Sequence, residues 1–465
     1  MLWSNDSTYR GNNQNSDLVF NSPLSEEEFL VRLSDEVSEN IKKSIEDLFS
    51  KNGRKIINKN WLNSYENMDY LWFAYELEHL RMMYNISQID PITDKLLPNC
   101  GQIPFVQVCL KQNAASDKEF YHKSTVNEYG DVNKPHYVIE FEYSFLRQFI
   151  KFLFCVFDDN PQLLAGEGEE KKIVHQYIAP IYRQAPFDKY FNERHDLVGI
   201  MIEKATQMLL AHELAHIGGG HLDLLVAHPE LKGDKDTLIV LEDDADVQAI
   251  CWLLGMRFLE TKTNKVEISL ADLRQELALT IFSAYLLFTW TYSKEDRLWS
   301  EETMKKYAEN THDHLPYQLR AYRMINIASA RMTNLGNWCE AAGFISSDGE
   351  KITKKFMDAV FDEALKMIEA FEKSLHMVYA TTESIYELCL DDKISELVEL
   401  IHKEQDSNIE ITCYNFPWML GFNPDAQNEL KRVHDMWESV REKLLKSGSY
   451  CKLRDVVPWI PLTDC

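Results

Sequence analysis

The chain lacks the features of a secreted or membrane-spanning protein. Its nine cysteines include no CxxC pair, which argues against both a disulfide framework and a cysteine-type zinc site. The polar residues 1–16 do not resemble a signal peptide. The longest apolar run, Leu277 to Tyr292, contains three threonines and a serine and is short for a membrane span. We therefore expect a cytoplasmic protein, with a buried helix over this run.

Positive charge is also scarce. The chain has 49 lysines and arginines against 74 aspartates and glutamates, which gives a net charge of −25. Such a surface would not attract nucleic acid or an anionic membrane. Glycine-rich phosphate loops are missing as well. We expect a protein or peptide substrate as partner, with no nucleic acid and no membrane, and the sequence leaves the oligomeric state open.

The most informative motif that is present is His212-Glu213-Leu214-Ala215-His216. Positions four apart lie on one face of a helix, so both imidazoles can point at a single cation. Zinc binds neutral imidazole nitrogens and lowers the pKa of a bound water, and the adjacent carboxylate of Glu213 can take the proton. The pattern predicts Zn²⁺ as cofactor. The alternative is a core helix that carries two hydrogen-bonded histidines.

The residues on both sides of this motif favour a buried helix that ends just after it. Residues 197–211 are apolar on most sides, as expected for a helix in a core. The three glycines Gly218, Gly219 and Gly220 follow, and glycine readily adopts the left-handed conformation found at helix ends. A helix that ends here would place the metal at the floor of a cleft.

The third metal ligand is predicted in a downstream acidic run. Glu242 and Asp246 are spaced four apart and would share one face of a second helix. Glu242 can complete a ligand set of two histidines and one carboxylate, while Asp246 can accept the outer N–H of a ligating histidine. His221 lies one residue short of the position that a third histidine ligand would need, which leaves it a weaker candidate. The alternative is that the acidic run forms a solvated face.

The HExxH motif followed by ExxAD resembles the gluzincin zinc metallopeptidases, in which the second glutamate is the third ligand. The order of motifs also resembles, distantly, the Lit-type phage-exclusion peptidases. The resemblance covers roughly residues 195–325 and implies a peptidase whose metal is held by His212, His216 and Glu242. A host-directed or phage-defence protease is consistent with this resemblance.

A further segment, residues 312–320, resembles the His/Pro/Arg stretch that follows the zinc helices in several gluzincin families. The resemblance implies that His314 stabilises the oxyanion and that Arg320 braces the site. His312 and Tyr317 are alternatives for the oxyanion role. Together with Glu213 as the general base, these residues complete the predicted catalytic machinery.

The predicted fold is α+β and mainly α: a zincin-like core with a small sheet, flanked by helical regions. The predicted divisions are a disordered lead (1–20), an N-terminal helical region (21–125), the catalytic core (126–335) and a C-terminal helical region (336–465). Residues 138–142 alternate in the manner of a half-buried edge strand, which could pair with extended substrate. The last region is predicted to contain helices over 354–379, 384–404 and 426–447.

These features favour a zinc-dependent endopeptidase that hydrolyses peptide bonds with metal-activated water. Two alternatives stay open. A zinc hydrolase of a non-peptide amide or ester would need the same site. A non-catalytic zinc-containing interaction protein would not need the general base Glu213.

Overall fold

A computed structural model describes thirteen stretches of the chain, which are residues 31–33, 56–58, 76–77, 79–85, 103, 106–111, 124–129, 136–142, 194–259, 264–290, 315, 317–379 and 424–447. Most of these residues are helical, which confirms the mainly α class predicted from the sequence. The predicted lead, residues 1–20, and the predicted helix over residues 384–404 lie outside them.

The long helices carry the candidate site and the core around it. In chain order they are α1 (Arg194–Gly218), α2 (His221–Ala227), α3 (Lys235–Leu259), α4 (Leu270–Trp290), α5 (Tyr317–Ala342), α6 (Lys354–Tyr379) and α7 (Pro424–Ser447). A 3₁₀ helix, Pro229–Gly233, joins α2 to α3. Helix α6 has the predicted bounds, and α7 begins two residues before the predicted start. The predicted boundary between residues 335 and 336 falls within α5.

Short strands form two small sheets. Strand β1 (Val31–Leu33) pairs in parallel with β2 (Ile56–Asn58), so the predicted N-terminal helical region is not helical throughout. In the second sheet, β5 (His136–Glu142) lies between β3 (Val106–Lys111), which is parallel to it, and β4 (Ser124–Tyr129), which is antiparallel.

The prediction of an edge strand over residues 138–142 is wrong. Both sides of β5 pair with neighbouring strands over residues 138–141, so its backbone N–H and C=O groups there are already used by the sheet. Alternation of side chains indicates a strand with two different faces, but both central and edge strands have that property. The pattern could not show how many neighbours the strand has.

The described residues belong to two compact units. The first comprises Met1–Phe145, Leu209–Lys232 and Lys443–Lys452. Within it, Tyr84 is buried and donates a hydrogen bond from its hydroxyl to the carbonyl oxygen of Gly218, at 3.1 Å. The alternate β5 residues Tyr137 and Ile139 are buried as well.

The second unit comprises Leu146–Met208, Gly233–Glu442 and Leu453–Cys465, and its core is a helical layer. Helix α5 packs against α3, α4 and α6, and α4 also packs against α3 and α6. The predicted buried helix over Leu277 to Tyr292 corresponds to α4, which is buried over residues 277–288. None of the helices described here is long and apolar enough to cross a membrane.

Two cysteines of this unit are buried as free thiols, Cys251 on α3 and Cys339 on α5. Burial raises the pKa of each thiol to about 12, so neither is a reactive nucleophile at neutral pH. The guanidinium of Arg331 donates from Nε to the carbonyl oxygen of Cys251 at 3.1 Å. These cysteines therefore contribute to packing.

Candidate metal centre

The HExxH motif occupies the last two turns of α1. His212, Glu213 and His216 are all buried, as the apolar residues before them predict. The helix ends at Gly218, and Gly220 adopts a left-handed conformation with φ of 72°. The prediction that the glycines end this helix is therefore confirmed. The turn is needed because α2 begins at the next residue, His221.

The two histidines of the motif bring their Nε2 atoms together. The distance between His212 Nε2 and His216 Nε2 is 3.2 Å, and the rings meet edge to face with centroids 4.8 Å apart. Two nitrogens that bind one tetrahedral zinc at 2.0–2.1 Å are separated by about 3.3 Å. The spacing is therefore close to what a shared metal ion requires.

Glu242 on α3 is the third member of a group of possible metal ligands. Ligand atoms of His212, His216 and Glu242 all lie within 4.8 Å of one another, and all three residues are buried. Two imidazole nitrogens and one carboxylate oxygen are a donor set that zinc uses when one coordination position stays open. A carboxylate can close the remaining distance by side-chain rotation. These residues therefore fit a metal ion, as the sequence predicts.

The acidic run around Glu242 is not a solvated face. Its four carboxylates are all buried, namely Glu242, Asp243, Asp244 and Asp246. Gln248 Nε2 donates to Asp244 Oδ2 at 2.6 Å. Buried carboxylates of this kind need partners from the surrounding core, and helices of the second unit provide them for Asp243, Asp244 and Asp246.

Asp243 has an arginine neighbour on α5. Arg323 Nε lies 3.6 Å from Asp243 Oδ1. Burial nevertheless raises the pKa of Asp243 to about 6, because it outweighs the favourable charge of Arg323 and is reinforced by the neighbouring charges of Asp246 and Asp244.

Asp246 forms an ion pair with Arg320. Arg320 donates from Nε to Oδ2 at 2.7 Å and from Nη2 to Oδ1 at 2.8 Å. The guanidinium also lies over the ring of Phe288, 4.8 Å from its centroid. The sequence predicted a bracing role for Arg320 and a role for Asp246 beside a ligating histidine. The structure brings these two residues together, and the contact of Asp246 with a histidine stays a prediction.

His221 lies beside the candidate ligand His216, a position that the spacing of the sequence did not predict. Its Nδ1 lies 2.9 Å from Nδ1 of His216, on the side of that ring away from His212. His221 is not part of the ligand cluster found among the described residues. The feature of the sequence that could have indicated this contact is the position of His221 directly after the glycine turn, where the chain folds back toward α1.

The proposed oxyanion residues are described only in part. His312 and His314 lie outside the described residues, and Tyr317 is the first residue of α5. The assignment of the oxyanion role to His314, with His312 or Tyr317 as alternatives, therefore stays a prediction.

Comparison with protein-family models, with curated proteins and with solved structures found no match to this chain. The inference about function consequently depends on the arrangement of the residues themselves.

Proposed function

We propose that this protein is a zinc-dependent hydrolase, and more specifically an endopeptidase of gluzincin type that acts on a protein or peptide substrate. The observation that carries the proposal is the buried cluster of His212, His216 and Glu242, with ligand atoms within 4.8 Å of one another. The glutamate that a hydrolase needs, Glu213, directly follows the first of these histidines.

When bound, zinc would act as a Lewis acid and would lower the pKa of a water molecule in the site. Glu213 lies about 100° around the helix axis from His212. In this position its carboxylate can accept a proton from the attacking water and pass it to the leaving nitrogen. Burial of Glu213 favours this role because it weakens competition from bulk water for the carboxylate.

A site built only to hold a structural metal has no need of a buried base beside it. This favours a hydrolase over a non-catalytic zinc protein. Peptide bonds are proposed as the substrate because the HExxH and ExxAD motifs resemble those of peptidases; an amide or ester that is not a peptide is the alternative. A cytoplasmic location and a host-directed or phage-defence role belong to the same hypothesis.

The proposal is tested by comparing zinc-loaded wild-type protein with Glu213→Gln on a mixture of proteome-derived peptides, with cleavage measured by mass spectrometry. Glutamine keeps the size of the side chain but cannot accept the proton. We expect Glu213→Gln to retain zinc and to lose about 10²–10⁴-fold in rate. Glu267→Gln is the matched control, because Glu267 is an exposed glutamate on the loop before α4.

Two outcomes would count against the proposal. Equal cleavage by wild type and Glu213→Gln would exclude Glu213 as the base. Hydrolysis of simple esters or amides without any peptide cleavage would favour the alternative substrate class.

A further inference from the structure

His221 and His216 are joined by an unusual contact between like atoms. Both residues are fully buried. Their Nδ1 atoms lie 2.9 Å apart, and their rings meet at 75° with centroids 5.0 Å apart. Two nitrogens at this distance need one proton between them, since two lone pairs or two N–H groups would repel each other.

The position of this proton determines whether His216 can bind a metal. A neutral imidazole carries one proton, and the nitrogen that binds a metal must offer a lone pair. Nε2 of His216 is the nitrogen that faces His212. For Nε2 to act as a ligand, the proton of His216 must lie on Nδ1 and be donated to Nδ1 of His221.

The opposite arrangement blocks the ligand. If His221 donates from its own Nδ1, then Nδ1 of His216 is the acceptor. A neutral His216 must then carry its proton on Nε2, where no lone pair is left for a metal. The hydrogen bond from His216 to His221 therefore selects the tautomer that can bind.

We propose that His221 is a positioning residue that accepts the Nδ1 proton of His216 and thereby holds His216 in the metal-binding tautomer and ring orientation. The inference deepens the proposed function and rests on it, because it concerns the same metal centre. His221 itself would carry its proton on Nε2 and would not bind the metal.

The turn after α1 explains how this histidine reaches its place. Gly220, with φ of 72°, reverses the chain so that α2 starts with His221 beside α1. Ligating histidines commonly donate their outer N–H to an oxygen acceptor, and loss of that acceptor weakens metal binding by about 10–100-fold. Here an imidazole nitrogen would serve as that acceptor.

The experiment uses a pair of substitutions with nearly equal shape, His221→Asn and His221→Leu, in the full chain. The side-chain oxygen of asparagine can stand where Nδ1 stands and accept the proton, whereas leucine cannot. Co²⁺ serves as the probe, and its affinity is measured from the visible absorption of the bound ion in a competition titration with a chelator.

We expect His221→Leu to bind one equivalent of Co²⁺ at saturation with an affinity about 10–100-fold below that of wild type. His221→Asn should recover most of that loss. Equal affinity of all three proteins would overturn the positioning role while leaving the metal centre intact. Failure of wild-type protein to bind Co²⁺ would instead overturn the proposed function.

A measurement on the unmodified protein covers the case in which these variants fail to fold. Imidazole ¹⁵N shifts of the zinc-loaded wild type report which nitrogens carry protons. We expect His216 to be protonated on Nδ1 and metal-bound through Nε2, and His221 to be protonated on Nε2. A proton on Nδ1 of His221 would overturn the proposal.

Discussion

Arg320 holds both carboxylate oxygens of Asp246, with donor–acceptor distances of 2.7 and 2.8 Å. The two side chains expose only 11% and 7% of their surface. A guanidinium that satisfies both oxygens fixes the direction of the carboxylate as well as its charge. The pair ties α5 to α3 one turn beyond Glu242, and so it restrains the helix that carries the third candidate ligand.

Removal of one member of this pair should destabilise the fold. Arg320→Met keeps the apolar length of the side chain but leaves the Asp246 carboxylate without its arginine. We expect a loss of roughly 3–5 kcal/mol in the free energy of unfolding, measured by chemical denaturation. In the double variant with Asp246→Asn, the loss should be smaller than the sum of the single losses by about 1–3 kcal/mol. Additive losses would show that the two residues do not interact.

Glu276 on α4 should make the fold more sensitive to acid. Its carboxylate accepts from Lys204 Nζ at 3.1 Å and from Arg257 Nε at 3.0 Å. Burial would raise the pKa of Glu276, but the charges of Lys204 and Arg257 outweigh it and lower this pKa. A lowered pKa contributes stability that is present above about pH 4.3 and is lost as the pH falls through the folded-state pKa.

Glu276→Gln tests this dependence. The variant should be less stable than wild type at pH 7, and the difference should shrink as the pH falls below about 4.3. Denaturant titrations of both proteins at several pH values measure it. A difference that is constant across this range would show that the charge of Glu276 does not stabilise the fold.

Asp243 should have the opposite effect. Because its pKa is raised to about 6, its contribution to stability is full below the unfolded-state pKa of about 3.9 and is lost as the pH rises through about 6. Asp243→Asn should therefore gain stability relative to wild type by about 2 kcal/mol between pH 4 and 7 in metal-free protein. Parallel stability curves for the two proteins would contradict the raised pKa.

Gly218 should not tolerate a side chain. A Cβ at this position would meet the hydroxyl and ring of Tyr84 at less than contact distance. We expect Gly218→Ala to lower the free energy of unfolding by roughly 1–3 kcal/mol. Gly233→Ala is the matched control, because a Cβ there meets no atom within 4 Å. Equal thermal stability of the two variants would contradict the close packing of Tyr84 on α1.

Much of the candidate site could be predicted because it depends on spacing within single helices. The four-residue spacing of His212 and His216 requires only that the segment be helical, and the apolar residues before it together with the glycines after it made that clear. Glu242 could be found for a similar reason: a run of acidic residues within apolar sequence must be buried if it is helical, and buried carboxylates need a partner or a metal.

The remaining features depend on contacts between distant parts of the chain. The ion pair of Asp246 with Arg320 joins two residues that are 74 positions apart in the chain, and helical periodicity carries no information about such partners. His221 was considered from the sequence only as a direct metal ligand. A turn that moves a histidine away from the metal can still bring its ring against the other nitrogen of a ligating histidine. The central position of β5 likewise depends on strands from elsewhere in the chain.

The central claim is that His212, His216 and Glu242 hold one metal ion, and a zinc-binding titration tests it most directly. Metal-free protein is dialysed against chelator-buffered zinc, and the bound metal is measured by mass spectrometry. Wild type and Glu267→Gln should bind one equivalent with equal affinity. Glu242→Gln should lose zinc affinity by more than the roughly 10–100-fold expected when a residue that only hydrogen-bonds to a ligand is changed. Wild-type affinity in Glu242→Gln, or no zinc bound by wild type, would contradict the account.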